Sequence, residues 1–436
     1  MKKLIFILGL MVAFTACTID EVVNPNSPNV DDFLENPSKT DIDLLVGGLE
    51  ARARDSREGY IIATGSIARE LYFFNSSDPT STVALLGRGG ATLDGSEPQL
   101  TGVMSARYKA VKSSDFILEA VDNTTAAISS AQADGYRGVA NTFKAYSLLE
   151  VITLVNNSGT RVDVRDPENL GPILSRDEVY QFIRDLLDEG FNQLQGAEFA
   201  FQLSPGFAGF DTPGEFARFN RAVAARAAIY QENYDDALAL VQQSFLDLNG
   251  DLSVGPKRMY GNTGFEIPNP VFKSPQQSGD QFIVHNRFIN DIQPGDMRIN
   301  KFRLRNDPVG RDGLNGTHEV ALYPNNSAPI DHIRNEELIL IYAEANIQAA
   351  GGSLQEAERA LNTIRKAYGL TDYAGPVDKE GLIDEMLYNR AYSLFAEGHT
   401  MLDLRRYARL NDQFLPIDRP GDIIHTEFPL PPEEIQ

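Results

Sequence analysis

Residues 338–369 read LILIYAEANIQAAGGSLQEAERALNTIRKAYG, and this stretch decides the fold. Ala343, Ala345 and Ala349 precede Gly351-Gly352, a pair that ends one helix. Ser353-Leu354-Gln355-Glu356 then forms a capping box, in which the serine oxygen accepts from the Glu356 N–H and the glutamate reaches back. Leu354, Ala357, Ala360, Leu361, Ile364 and Tyr368 recur at helical spacing, and Gly369 stops the second helix. Small residues on both helices let them pack closely, as in helix-turn-helix repeats of tetratricopeptide type. Phe219 to Phe245 follows the same plan, with Ala224, Ala225, Ala227 and Ala228 before Tyr230 and a turn at Asn233-Tyr234-Asp235-Asp236-Ala237. Two unrelated alanine-rich hairpins have the same composition and stay open as the alternative.

Working outward, Ser175-Arg176-Asp177-Glu178 is another capping box, opening a helix with Val179, Phe182, Ile183, Leu186 and Leu187 on one face that runs out at Gly190. Residues 101–155 are helical with a break at Gly135. Pro37 to Asp41 leads into a helix marked by Ile42, Leu45, Val46 and Leu49, and Ile61 to Phe74 continues the helical pattern. Asn75 to Gln99 is a long loop. The fold class is therefore mainly α: tetratricopeptide-like hairpins forming a scaffold. Residues 246–330 lack helical period and are rich in Gly, Asn and Pro. So long a structureless loop is uncommon in a compact domain, so short strands and a functional surface are expected there. Phe282-Ile283-Val284 and Glu319 to Tyr323 are the candidate strands.

The N-terminus carries Lys2 and Lys3, an apolar run from Leu4 to Phe14, then Thr15-Ala16-Cys17. The run is shorter than the ~20 helical residues needed to cross a bilayer, so it reads as a cleaved signal, residues 1–16. Cys17 is the only cysteine in the chain and stands where a bacterial lipoprotein signal is cut and acylated. Residues 17–29, with Pro25 and Pro28, read as an acidic tether, and residues 30–436 as a single domain. The formal net charge of −22 argues against nucleic acid and anionic membrane surfaces as partners, leaving the N-terminal lipid as the only membrane attachment. With one cysteine no internal disulfide forms, so an exported chain must be held by its core.

Several segments, taken in order, resemble the SusD/RagB family of outer-membrane nutrient-binding lipoproteins. They are Arg390 to Tyr407, Ile333 to Ala345, Ala360 to Arg365, Gly295-Asp296-Met297-Arg298 and Phe428 to Ile435. Ser393 and Thr400 depart from the pattern, standing where glutamate and arginine are usual. The resemblance implies four helical hairpins with irregular inserts as the ligand face. It further implies a surface-facing, lipid-anchored outer-membrane location and transfer of oligosaccharide or another nutrient to a SusC-like TonB-dependent transporter. A surface-tethered helical-repeat scaffold for protein partners is the alternative, and a lipoprotein glycoside hydrolase the third.

The residues themselves point to binding and not to catalysis. The 5 histidines show no zinc-ligand spacing, and neither a phosphate loop nor a nucleophile elbow is present. No cofactor is expected; Asn262, Asp291 and Asp296 offer oxygens to a structural calcium without a spacing that demands one. Sugar binders stack pyranose rings on flat aromatic faces, yet the chain has no tryptophan. Tyr72, Phe73 and Phe74 beside the Asn75 loop, and Tyr260 and Phe265 in the insert, are the candidate platforms. Ordinary core or loop-anchoring packing is the favoured reading of each taken singly. Glu397, His399, Asp403 and Arg405 fall within two turns of one helix, where they can bridge to neighbouring helices.

Overall fold

The computed structural model describes residues 34–264 and 266–435. The signal, Cys17, the tether and Phe265 lie outside the described residues.

Ser38 opens α1 (Lys39–Ala53) with a reciprocal capping box, its own N–H donating to Asp41 at 2.9 Å. Helix α2 (Arg57–Ile67) follows, but the expected helical run to Phe74 does not. Arg69 takes a left-handed φ of 51°, and Leu71–Phe74 becomes strand β1. The physical reason is two-sided burial: Leu71 and Phe73 join the main core, while Tyr72 and Phe74 enter a second apolar cluster on the other face.

The scaffold comes next as α3 (Pro98–Asn123) and α4 (Ser130–Val155). Gly135 lies inside α4 and does not break it; a Cβ there would stand 2.5 Å from the Glu198 carbonyl oxygen, so glycine serves close approach. A two-residue ladder, β2 (Thr160–Arg161) with β3 (Ile173–Leu174), leads into α5 (Arg176–Leu194). The Ser175 capping box is present, but α5 runs past Gly190. Gly190 and Gly138 meet where α5 crosses α4, the contact that lets the two helices approach. Helices α6 (Pro213–Tyr230) and α7 (Tyr234–Gln242) complete this run, each helix packing on the next.

Residues 246–330 form short strands, as composition suggested, and the neck of this insert is tied. Strand β4 (Lys257–Arg258) pairs with a returning strand at Ile330–Asp331, and the Asn335 side chain bonds Asp247 N and O at 2.9 and 2.8 Å. Within it, β5 (Gln281–Val284) pairs with β1, and helix α8 (Asn286–Asp291) follows. Strands β6 (Phe302–Arg311) and β7 (Leu314–Val320) form a hairpin across Asp312-Gly313, both with positive φ. The sheet order is β1-β5-β7-β6. The expected strand Glu319 to Tyr323 is thus corrected: it is the end of β7, and residues 321–323 are outside it.

After the returning strand β8 (Ile330–Asp331), α9 (Asn335–Gln348) packs on α7, so the helical stack resumes as though the insert were absent. Helix α10 (Leu354–Ala367) starts at Ser353, whose oxygen accepts from Glu356 N–H; the Glu356 side chain turns to Tyr342 and Arg359 instead of closing the box. Helices α11 (Lys379–Ser393) and α12 (Thr400–Arg406) end the scaffold. The single helix expected through Glu397 to Arg405 begins only at Thr400, because Ala396 and Gly398 turn the chain through positive φ after α11, leaving Glu397 and His399 in the turn. The mainly helical fold class is borne out.

Candidate ligand-binding groove

The signature residues build a buried polar centre. Arg226 is bidentate to Glu337, both contacts at 2.6 Å, tying α6 to α9. Glu150 receives Arg57 at 3.0 Å and Arg107 at 3.1 Å, with Arg258 at 3.5 Å. Burial opposes its ionisation, but the charges of Arg107, Arg258 and Arg57 outweigh it and hold the pKa below the usual carboxylate range. Arg390 bonds Asp403 at 2.7 Å, Arg406 bonds Asp403 and Glu344, and Glu397 pairs with Arg334 at 2.5 Å. His399 Nδ1 meets the Tyr230 hydroxyl at 2.6 Å; burial, reinforced by Arg226 and Arg390, keeps its pKa far below normal, so the ring is neutral. Bridging from Glu397, His399 and Asp403 therefore occurs, though not along one helix. The cavity beside Arg57, Tyr146, Arg226 and His332 has about 20 Å³ of free space, room for a water and not for a nutrient.

The two departures from the resemblance lie here. Ser393 Oγ accepts from the buried Arg298, which is paired to Asp296 at 2.6 Å. Thr400 Oγ1 donates to Glu70 Oε1 at 2.9 Å, as does Ala396 N. Glu70 Oε2 has no partner among the described residues, and no cation among them pairs with this carboxyl. Burial drives its pKa up to about 7.

The aromatic platforms expected from sequence are placed inside the molecule. Tyr72, Phe73, Phe74 and Tyr260 are each about 5% exposed or less. That corrects the expectation that their faces meet a ligand; Phe265 lies outside the described residues. Tyr72 stacks on Phe74 and donates to Asp418 at 2.6 Å. Asp418 also receives His285 Nε2 and Arg69 Nε, both at 2.9 Å, so this cluster fastens the C-terminal segment to β1 and β5. Tyr260 donates to the Arg54 carbonyl. Asp296 is occupied by Arg298, and among the described residues no three His, Cys, Asp or Glu side chains converge as a metal site.

A groove with free volume of about 230 Å³ opens elsewhere, between α8, α11, α12 and the segment after α12. Phe414, 54% exposed, forms one wall. Arg409 backs its ring at 5.3 Å and donates to Asp384 at 2.5 Å. Tyr388 forms the floor, its ring 4.7 Å from that of Tyr392. Its hydroxyl donates to Asp296 at 2.7 Å and accepts from Gln293 N–H at 2.9 Å, which fixes the ring. Leu387 and Leu404 add apolar surface, and Asp291, exposed, stands at the rim. An open aromatic face edged by carboxylate and guanidinium suits a ring with an apolar C–H face and a hydroxyl rim. The sequence signal was present in Phe414, a lone aromatic in the polar run Asn411-Asp412-Gln413, but periodicity does not reveal a loop residue's exposure.

Residues 286–433 match the family model described as SusD family. No curated protein matches the chain. Among solved structures, the fold is similar to a surface glycan-binding protein A from Bacteroides thetaiotaomicron in complex with laminarihexaose, at TM-score 0.70 and 15% identity, over 92% of this chain and 97% of that one. It is also similar to a SusD superfamily protein from Bacteroides vulgatus, at 0.66 and 15%, over 91% and 96%. Bacteroides fragilis NanU aligns at 0.62 and 13%, over 93% and 94%. The fold is thus that of the SusD superfamily structures. The SusD/RagB resemblance is borne out, and residues 286–433 are the part of this chain that matches the SusD family model. The groove residues named above all lie within that part.

Proposed function

We propose that this protein is a nutrient-binding lipoprotein of the outer membrane, anchored through Cys17, that holds an oligosaccharide in the Phe414 groove without altering it. It passes the ligand to a SusC-like TonB-dependent transporter. The observation that carries this reading is the likeness, over almost the whole of both chains, to a glycan-binding protein in complex with laminarihexaose. The groove's chemistry supports it: an exposed aromatic wall, a fixed tyrosine floor and charged hydrogen-bonding groups at the rim. Lipid anchoring is supported by the Lys2 to Cys17 pattern. It agrees with the finding that no helix among the described residues is long and apolar enough to cross a membrane.

The test has two arms. The Cys17→Ser protein, titrated calorimetrically with a panel of neutral oligosaccharides including laminarihexaose, should bind at least one member. Phe414→Ala should lower that affinity at least tenfold. The native chain, solubilised from membranes, should co-purify with a large β-barrel. A protein that binds no oligosaccharide and brings down only a soluble partner would be a helical-repeat scaffold instead, and release of reducing sugar would make it a hydrolase.

A further inference from the structure

A second pocket lies on the opposite face of α12. Thr400, Asp403 and Leu404 face the groove, whereas Leu402, Arg405 and Arg406 line a separate space of about 200 Å³ closed by Asn156, Arg176 and Tyr180. The split follows from helical geometry, since residues 400, 403 and 404 share one side and 402, 405 and 406 the other. The arginines on the second side differ. Arg406 is ion-paired with both Glu344 and Asp403. Arg405 has no carboxylate within ion-pair distance among the described residues: its guanidinium donates only to the carbonyls of Thr153 at 2.8 Å and Thr426 at 3.1 Å. Arg176 lies over the Tyr180 ring at 5.1 Å; its partners are the highly exposed Asp177 and the Tyr230 carbonyl.

Among the described residues no acid forms an ion pair with Arg405, although the charge of Glu427 reaches it. Glu427 is engaged by Asn156 Nδ2 at 2.7 Å and by Asn157 N and Nδ2 at 3.2 and 3.1 Å. Glu232 lines the pocket but is exposed to solvent. Burial lowers the Arg405 pKa and Arg176 lowers it further, against the opposing pull of Tyr180 and Glu427. A guanidinium that meets carbonyls and no paired carboxylate, facing a pocket, is placed where an anionic ligand supplies a counter-charge.

We infer that this pocket, built on Arg405 and Arg176, binds a small oxyanion carried by the nutrient: a sugar carboxylate, as in a uronic acid, or a sulfate ester. The planar fork of arginine pairs with two oxygens of either group. The inference names a ligand class for the proposed nutrient binder and rests on that reading, but its site is distinct from the Phe414 groove.

The test is calorimetric titration of the Cys17→Ser protein with trigalacturonate, neutral galactotriose and galactose 6-sulfate, at low and high salt. Trigalacturonate should bind, more weakly as salt rises, and R176Q and R405K should each lower its affinity at least tenfold. Neutral galactotriose should be unaffected by either variant. Galactose 6-sulfate binding with the same losses, in the absence of trigalacturonate binding, would assign the sulfate ester. Undiminished acidic-ligand affinity in R176Q overturns the inference, as does binding of neither acid by the parent protein. Should R405K lower thermal stability, R176Q alone decides the outcome, since Arg176 sits nearer the rim. Because Phe414→Ala reads the groove and R176Q this pocket, the two readings fail separately.

Discussion

The buried polar centre and the Phe414 groove use the same residue types, arginine, carboxylate and aromatic ring, and put them to opposite uses. In the centre the charged groups close on one another: Arg226 on Glu337, Arg390 on Asp403, three arginines around Glu150. The remaining void is water-sized. In the groove the Asp384–Arg409 pair stands at the edge of an exposed ring and leaves about 230 Å³ free. A signature rich in charge therefore need not mark a binding site. Charges satisfied by each other hold helices in register, and only surplus hydrogen-bonding capacity beside open space is available to a ligand.

Four changes test this contrast. The largest effect is expected from Arg226→Ala, which leaves Glu337 buried and unpaired. Loss of about 3–5 kcal/mol of stability should follow in denaturant unfolding, and a loss under about 1 kcal/mol would break the contrast. Next is the pH dependence from Glu70. Its folded-state pKa of about 7 lies above the ordinary value of 4.5, so the folded protein keeps a proton that the unfolded chain releases. Stability from this group is full below about pH 4.5 and is lost as pH rises through about 7, by about 3 kcal/mol. Subtracting the Glu70→Gln profile from the parent's should isolate that slope; a flat difference refutes it.

Tyr388 belongs to both regions, since its hydroxyl touches Asp296 and its ring floors the groove. Tyr388→Phe should cost about 1 kcal/mol in thermal unfolding while keeping the groove's shape. The smallest stability effect is expected from Phe414→Ala, within about 0.5 kcal/mol because the ring is exposed, although ligand affinity falls. Strong destabilisation by that change would move Phe414 from the groove to the core.

The helical hairpins were legible because their signals are local. Ser38, Ser175 and Ser353 cap where their spacing places them, and the periodic apolar residues of α5 and α10 turn inward. The Asp312-Gly313 hairpin turn is also written locally, in a dipeptide type that favours type I′ turns, a signal that reading residues 246–330 by composition alone passes over. β1 was not legible, since four consecutive buried residues fit helix or strand, and only β5, over two hundred residues later, makes it a strand. The same ambiguity misplaced the ligand aromatics. A tyrosine beside a loop can face either side, and Asp418, far along the chain, draws Tyr72 inward.

The sequence by itself determined the helical scaffold and its close-packed small residues, because propensity, capping and periodicity act over a few residues. Only the tertiary structure decided which arginines meet which carboxylates, that Glu70 forms no ion pair among the described residues, and that Phe414 is open while Tyr72 is covered. Those outcomes depend on contacts between segments hundreds of residues apart, and burial and charge compensation exist only once the segments have met.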